Sequence, residues 1–301
     1  MEYINSVILE SPKSLSELYK AVKRNPDSVL FAGGTYIMSR PGYFPKKNLH
    51  GYISLSEIPE LHRVLHSDKY LELGSMVTIQ GLLNASASSL SKPIYKAINS
   101  IAPSVLRNLI TIGGALCSMN CRTNLCCILC AINASAEVRF ITRNNKTNLN
   151  NIKTKARWIP VAKLYDSDGR YLYSDNAVLT RVRIPSDPTI SFIYNNVGSL
   201  TTRSESAVTL AFQYNMNQNS IINPSFCLSF LNNGIFNLQD FEGFLRSVKF
   251  PLSNSLLQKI AGELLKLLRT ECTNITDLQR ERAIRLMIDA LETANREYYN
   301  L

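Results

Sequence analysis

The sequence predicts an α+β protein in which two small α/β lobes are followed by a C-terminal sheet with helices. Its 301 residues are enough for two hydrophobic cores. Short β-prone runs alternate with helical periodicity as far as Pro185 and Pro188, and two long helical patterns lie near the C-terminus. We therefore expect a first domain over residues 1–187 and a second over residues 188–301.

The first predicted elements are a helix and a strand that leads into a glycine pair. Ser14-Leu15-Ser16-Glu17 is a capping box, and apolar residues at helical spacing continue the helix to about Lys23. The run from Ser28 to Ala32 predicts a strand that stops at Gly33-Gly34. A glycine loop after a strand is a common place for a close backbone approach.

A second glycine pair follows later in the first domain. The elements expected before it are strands at Tyr52–Leu55 and Tyr70–Gly74 and helices that begin at Thr78 and Pro93. Leu109 to Ile112 is mostly β-branched and predicts a strand ending at Gly113-Gly114, before an apolar helix that contains cysteines. The unit of a strand and a glycine pair is thus predicted twice.

The remaining predicted elements complete the first domain and build the second. They are strands at Glu137–Thr142 and Ala177–Ile184, then strands at Ser206–Tyr214 and Pro224–Phe230 joined across Asn217-Gln218-Asn219, and helices at Ser255–Leu268 and Asp277–Tyr298. Pro185 and Pro188 mark the expected boundary between the two domains.

The chain is basic, with a formal net charge of +10. Its densest cationic groups are Lys46-Lys47, Lys153/Lys155/Arg157 and Arg280/Arg282/Arg285, and none alternates with aromatic residues as a groove for single strands would. This pattern favours a solvated or subunit-facing surface. A basic nucleic-acid-binding protein stays open as an alternative, and it predicts salt-dependent binding to a generic duplex.

No segment of the sequence reads as a signal peptide or a membrane span. Charged residues interrupt the first 25 positions, and the longest apolar stretch, Leu125 to Ala134, is about half of what a spanning helix needs. We therefore expect a soluble, cytoplasmic protein that has no membrane partner.

Cysteine and histidine patterns give no metal or catalytic motif. The seven cysteines predict reduced thiols, and five of them crowd between residues 117 and 130 without the paired spacing of zinc or iron–sulfur sites. Cys126, Cys127 and Cys130 lie in an apolar run, where cysteine serves as a small core residue. His50, His62 and His66 fit surface or loop positions better than acid–base roles, so the catalytic residues stay unknown.

The two glycine pairs are the features that carry chemistry. Glycines at strand ends can present consecutive backbone N–H groups to an anion such as a pyrophosphate. The glycine patterns of nicotinamide-binding and P-loop proteins are both absent. Either pair alone is also explained as a tight turn.

Taken together, the two pairs and their flanks carry a resemblance to a known family. Ala32-Gly33-Gly34-Thr35 and Arg107-Asn108-Leu109-Ile110-Thr111-Ile112-Gly113-Gly114 resemble the two flavin-binding motifs of the molybdopterin dehydrogenase FAD-binding family. The resemblance extends to Leu73–Thr78, Val178–Pro185 and Thr276–Arg285, and so covers nearly the whole chain.

The resemblance implies a two-lobed FAD-binding domain of the PCMH type and a C-terminal domain of the CO dehydrogenase flavoprotein type. It also implies a flavin subunit of a xanthine dehydrogenase-like molybdenum hydroxylase, an oxidoreductase that works with a molybdopterin-containing large subunit and a 2Fe–2S small subunit. Electrons would pass from the iron–sulfur clusters through FAD to NAD or another acceptor. No molybdopterin or iron–sulfur ligands are expected in this chain.

The same resemblance implies a set of cofactor-binding residues. The first loop would wrap the FAD phosphates through main-chain donors, the second would take the pyrophosphate and ribityl groups, and Leu179 would make an apolar contact. The full set is Leu30, Phe31, Ala32, Gly33, Gly34, Thr35, Tyr36, Ile37, Thr111, Gly113, Gly114, Ala115, Asn124, Leu179 and Asn196.

Four positions depart from the family pattern. Tyr36 and Asn124 stand where aspartates are common, Ala115 replaces an asparagine, and Asn195 or Asn196 lies where a lysine near the flavin is frequent. A neutral amide at residue 124 gives a weaker hydrogen bond than a carboxylate. Tyr36, Ala115 and Asn124 favour one alternative, a degenerate, flavin-free structural subunit of the same complex.

Overall fold

The computed structural model describes residues 8–39, 51–118, 124–141, 153–166, 171–173, 176–198, 206–230 and 234–299. Lys46-Lys47, His50 and Cys121, which the sequence analysis singled out, lie outside these ranges. Among the described residues, no helix combines the length and apolarity needed to cross a membrane.

The first lobe is a small parallel sheet with two helices. Its elements are β1 (Ile8–Glu10), α1 (Leu15–Arg24), β2 (Val29–Phe31), α2 (Thr35–Met38) and β3 (Gly51–Ser54), and the strand order is β1-β3-β2. Ser14 Oγ accepts the Glu17 amide at 3.2 Å, which confirms the predicted helix start. The Glu17 carboxylate accepts from the Lys13 amide at 2.8 Å rather than closing onto Ser14.

The second lobe is a five-stranded antiparallel sheet with five helices. Its elements are β4 (Val64–His66), β5 (Tyr70–Gly74), α3 (Ile79–Ser86), α4 (Lys92–Asn99), α5 (Ser104–Arg107), α6 (Ile112–Cys117), α7 (Asn124–Ala131), β6 (Ser135–Ile141), β7 (Thr154–Pro160) and β8 (Ala177–Pro185). The strand order is β4-β5-β8-β6-β7. Its largest core lies between one face of this sheet and the helices.

A four-stranded antiparallel sheet with three helices follows. Its elements are β9 (Ser191–Val197), β10 (Val208–Asn217), β11 (Ser220–Phe230), β12 (Gly234–Phe236), α8 (Gln239–Arg246), α9 (Asn254–Glu271) and α10 (Asp277–Tyr299), and the strand order is β12-β11-β10-β9. The predicted hairpin and the two long helices are confirmed. The α+β architecture of two lobes and a C-terminal sheet is confirmed as well.

One predicted strand, Leu109–Ile112, is wrong. The amides of Leu109 and Ile110 both donate to the Leu106 carbonyl, which turns the chain out of α5 instead of extending it. Thr111 makes only an isolated bridge with Thr78, and Ile112 already begins α6. Local capping overrides the β-branched composition here, because the Thr111 side chain starts a helix.

Helix α7 joins the second lobe to the C-terminal sheet. All its residues from Leu125 to Ala131 are buried. The Cys127 thiol donates to the carbonyls of Thr209 on β10 and Cys227 on β11. The opposite face of that sheet packs on α8, α9 and α10 in a separate core. Helix α7 is therefore enclosed between the second lobe and the C-terminal sheet.

Candidate functional site

The two glycine pairs lie against each other in the structure. We call residues 30–37 the first glycine segment and residues 109–115 the second. A Cβ atom on Gly33 would lie 1.8 Å from the Leu109 carbonyl oxygen, and one on Gly114 would lie 3.8 Å from the Ala32 Cβ. The absence of a side chain at Gly33 is therefore what lets the segments approach this closely.

The first glycine segment turns sharply from β2 into α2. Gly34 has φ of 69°, in the left-handed region that favours glycine. The Phe31 ring lies over this glycine, because a Cβ at Gly34 would be 2.6 Å from the ring Cζ. Tyr36 and Ile37 follow within the single turn of α2. Gly34 is thus needed for both the backbone conformation and the ring contact.

The second glycine segment is anchored to the turn between β5 and α3. Ile112 N donates to Val77 O at 2.9 Å, Gly113 N donates to Ser75 O at 2.8 Å, and Ile79 N donates back to Ile110 O. A Cβ on Gly113 would lie 2.7 Å from the Ser75 Cβ. Because Gly113 has no side chain, the backbone of residues 75–77 can pack directly against the second segment.

The backbone N–H groups of the two segments differ in what they bind. Gly113 N donates to Ser75 O, and Gly114 N donates to Thr111 Oγ1 at 3.1 Å, so neither is available to an anion. Within the part of the chain that the structure describes, the amides of Gly33, Gly34 and Thr35 donate no hydrogen bond. The prediction that both pairs expose amides is wrong for the second pair.

Burial divides the predicted site residues. Ile37, Thr111, Gly113, Ala115 and Leu179 are buried, as is Ile112. Leu109 is exposed, and the other residues of the two segments are half-buried. Leu179 lies on β8 within the main core. Contact of these residues with a cofactor stays a prediction. The half-buried first segment is the part whose amides donate no hydrogen bond within the described residues.

Asn124 and Asn196 belong to a second polar group, at the contact with the C-terminal sheet. Thr209 Oγ1 donates to Asn124 Oδ1 at 3.2 Å. The Tyr194 hydroxyl is buried and makes no hydrogen bond with a described residue, although the side chains of Asn124 and Asn196 lie near it. Burial raises the pKa of Tyr194, so this hydroxyl stays protonated. Asn196 itself is exposed.

Sequence reasoning missed three residues that position the segments. Ser75 and Val77 accept the hydrogen bonds that hold the second segment, and Leu109 contacts Gly33 through its carbonyl group. Main-chain acceptors carry no residue-type signal. The resemblance of Leu73–Thr78 to the family was the only pointer in the sequence to the first two.

The sheet face opposite the helices carries a ladder of charges near the first lobe. Arg181 Nε lies 2.8 Å from Glu137 Oε2, and Arg183 Nη2 lies 2.9 Å from Glu72 Oε2. Burial alone would raise the pKa of Glu137. Hydrogen bonds from Arg181 and Thr180, with the charge of Arg139, outweigh burial and lower this pKa to about 2. Three guanidinium groups thus share two carboxylates, which leaves one positive charge in this ladder.

The cysteines around α7 pack in the core, as the sequence predicts. Cys126, Cys127 and Cys130 are buried, and Cys126 Sγ donates to Ala115 O at 3.4 Å. Burial and the neighbouring thiols of Cys127 and Cys130 raise the pKa of Cys227. Such thiols stay protonated and are poor nucleophiles.

The two described histidines make hydrogen bonds at the surface of the second lobe. His62 Nε2 lies 3.0 Å from Ser56 O, and His66 Nδ1 lies 3.3 Å from Ser89 Oγ. The described ranges contain no group of three or more histidine, cysteine, aspartate or glutamate residues placed to hold a metal ion.

Comparisons with known proteins match this architecture. Residues 5–187 match the model of a family described as the FAD binding domain in molybdopterin dehydrogenase. Aldehyde oxidase 2 of Cavia porcellus is 31% identical over 140 residues, which are 43% of this chain and 10% of that protein. The chain therefore matches about a tenth of the length of this curated relative.

Solved structures share the fold over nearly the whole chain. Reconstituted CO dehydrogenase from Oligotropha carboxidovorans is similar with a TM-score of 0.77 and 18% identity, over 97% of this chain and 98% of that one. Quinoline 2-oxidoreductase from Pseudomonas putida 86 gives a TM-score of 0.71 and 17% identity, over 96% and 98%. At this identity the likeness establishes the fold.

Proposed function

The chain belongs to the family of FAD-binding domains of molybdopterin dehydrogenases, and on that premise we propose that it is the flavin subunit of a molybdenum-hydroxylase complex. The family match covers residues 5–187 and supports a domain boundary after residue 187. The described cysteines are free thiols, which supports a cytoplasmic location.

The observation that carries this proposal is the set of free amides in the first glycine segment. Gly33, Gly34 and Thr35 offer N–H donors on a half-buried turn, and no side chain at Gly33 or Gly34 obstructs them. Unobstructed main-chain donors suit a diphosphate, since they bind it without a buried countercharge. The residues present therefore fit FAD.

The chain's own residues bind and orient the cofactor in this proposal. The first segment holds the diphosphate. The second segment fixes the position of the first through the contact between Leu109 and Gly33. Bound FAD supplies redox chemistry, and we propose that electrons reach it from a 2Fe–2S partner subunit of a molybdopterin enzyme and leave to NAD or another acceptor. The excess of basic residues is compatible with docking to such partners.

Flavin titration of the purified chain tests the proposal. We expect FAD to be retained after desalting at about one per chain, seen by absorption at roughly 350–500 nm. Riboflavin, which has the same ring and no diphosphate, is the matched control, and we expect it to wash out. Equal retention of both would contradict the role of the first glycine segment.

A flavin-free structural subunit is the second candidate function. The observation that favours it is Asn124, whose side-chain oxygen already accepts from Thr209. Retention of neither FAD nor riboflavin, in the chain alone and in the assembled complex, would establish this second candidate.

A further inference from the structure

Beyond Glu137, the hairpin formed by β6 and β7 carries only basic charges. Between Glu137 and Asp166 the sequence has no acidic residue and seven cationic ones, namely Arg139, Arg143, Lys146, Lys153, Lys155, Arg157 and Lys163. The whole net charge of the chain lies in the same half. Residues 1–187 contain 23 Lys and Arg against 13 Asp and Glu, whereas residues 188–301 contain 10 of each.

Strand β7 is an outer strand of the five-stranded sheet. Among the described residues it pairs only with β6, so one of its edges has no neighbouring strand in that part of the chain. Lys155, Ala156 and Arg157 are exposed, and neither Lys155 nor Arg157 forms an ion pair with a described residue. The two cations are two positions apart, so they point to the same side about 7 Å from each other.

The free edge of β7 presents unused amides. Val161 N donates to Ala134 O, and hydrogen-bonded pairs alternate along an antiparallel ladder. The inward bonds therefore fall at Ile159, Arg157 and Lys155. The N–H groups of Ala156 and Trp158 point away from the sheet and have no acceptor among the described residues.

The exposed aromatic surface nearby is closed to nucleobases. The Arg183 guanidinium covers the Trp158 ring at 3.9 Å from its centroid, and Arg157 and Tyr173 flank Phe140. Arg181 and Arg183 on the sheet face are neutralised by Glu72 and Glu137. Most of the uncompensated charge nearby thus lies along one edge, which fits a strand better than a duplex or a stacked single strand.

We propose that the outer edge of β7 docks an extended acidic segment of a partner protein as an added strand. Lysine on an edge strand normally prevents pairing between copies of a protein, because like charges repel. A strand that carries carboxylates opposite Lys155 and Arg157 removes that repulsion and forms cross-strand ion pairs. Its backbone groups would bond to the amides of Ala156 and Trp158.

A fluorescent peptide of about eight residues that alternates glutamate and threonine is the probe for this edge. We expect it to bind the full chain at low salt, to weaken by about 0.3 M salt, and to slow hydrogen exchange at the amides of Ala156 and Trp158. The control peptide has proline in place of threonine, which keeps the charge and removes the N–H donor at every second residue, the positions opposite Ala156 and Trp158. It should leave that exchange unchanged.

Charge reversal on the edge completes the experiment. K155E/R157E should weaken peptide binding by about tenfold or more. The matched control, K259E/K266E, reverses two exposed cations on α9, and it should change binding by less than about twofold. Thermal unfolding checks that both variants fold.

Several outcomes overturn the proposal. These are no binding at low salt, equal binding of the proline peptide without protection of the two amides, or the same loss in K259E/K266E. Tighter binding of a generic DNA duplex that displaces the peptide would assign the edge to nucleic acid instead. None of these outcomes depends on flavin, so they are distinct from failure of the proposed function.

Discussion

The first and second glycine segments each carry two adjacent glycines after a short β-prone run, yet they use their backbone N–H groups in opposite ways. In the second segment these groups are bound by Ser75 and Thr111. In the first, the amides of Gly33, Gly34 and Thr35 donate to no group in the described ranges. A glycine pair therefore indicates that something approaches the backbone closely, and only the fold decides whether that is protein or ligand.

Gly33→Ala should have the largest effect, because it would force the two glycine segments apart. The new Cβ would meet the Leu109 carbonyl, a backbone group that cannot move cheaply. We expect the free energy of unfolding to fall by about 3 kcal/mol and FAD to be lost. Urea unfolding and the flavin spectrum measure this. Gly262→Ala on α9 is the control, because its Cβ meets nothing within 4 Å, and unchanged stability in Gly33→Ala would refute the contact.

Glu137 lies outside both glycine segments, so its titration shows how much stability can be lost without changing either segment. Its pKa is lowered from 4.5 to about 2 in the folded chain, so its stabilisation is full above pH 4.5 and is lost as pH falls towards 2. We expect about 2 kcal/mol to disappear over that window, allowing for solvent screening. Chemical unfolding of the flavin-free chain at several pH values measures the loss. Glu137→Gln should flatten the pH dependence, and a slope as steep as that of the parent chain would exclude Glu137 as its source.

Gly34→Ala tests whether the amides of the first glycine segment bind FAD. A residue with φ of 69° is strained without glycine, and the new Cβ would press on the Phe31 ring. We expect about 1.5 kcal/mol of lost stability and a tenfold or greater loss in FAD affinity. Fluorescence titration with FAD gives the affinity. Gly243→Ala, whose Cβ is unobstructed, serves as the control, and an equal affinity in the two variants would remove the first segment from the binding site.

Thr111→Val should have the smallest effect. It removes the side-chain oxygen that accepts the Gly114 amide, which costs about 1 kcal/mol of stability. Thr111→Ser keeps the oxygen and should restore most of it. If the second segment acts through packing, FAD affinity will barely change. A loss of affinity larger than the loss of stability would show instead that this segment touches the flavin directly.

Much of the fold follows from local patterns in the sequence. Capping residues at Ser14 and Thr78, together with apolar periodicity, place α1 and α3. The strand predicted at Leu109–Ile112 fails because Thr111 accepts the Gly114 amide, which a propensity for β-branched residues does not register. The sequence did not indicate strand β7, since it has cations at Lys155 and Arg157 and none of its residues is fully buried.

Only those parts of the candidate site that particular residue types identify could be predicted from the sequence. The two glycine pairs and their relation came from sequence. Which amides are already bound did not, because the Ser75 carbonyl that accepts the Gly113 amide is brought there by the fold. The side-chain oxygen of Asn124 likewise already accepts a hydrogen bond from Thr209, which is 85 positions away in the sequence.

Burial of α7 constrains the order in which the chain can finish folding during synthesis. The Cys127 thiol meets the Cys227 carbonyl across 100 positions of sequence. At ribosomal rates of about 5–20 residues per second, that helix waits roughly 5–20 s for its covering strands. Throughout that interval a nascent chain exposes the apolar face of α7, so chaperone demand should be concentrated before residue 230 emerges.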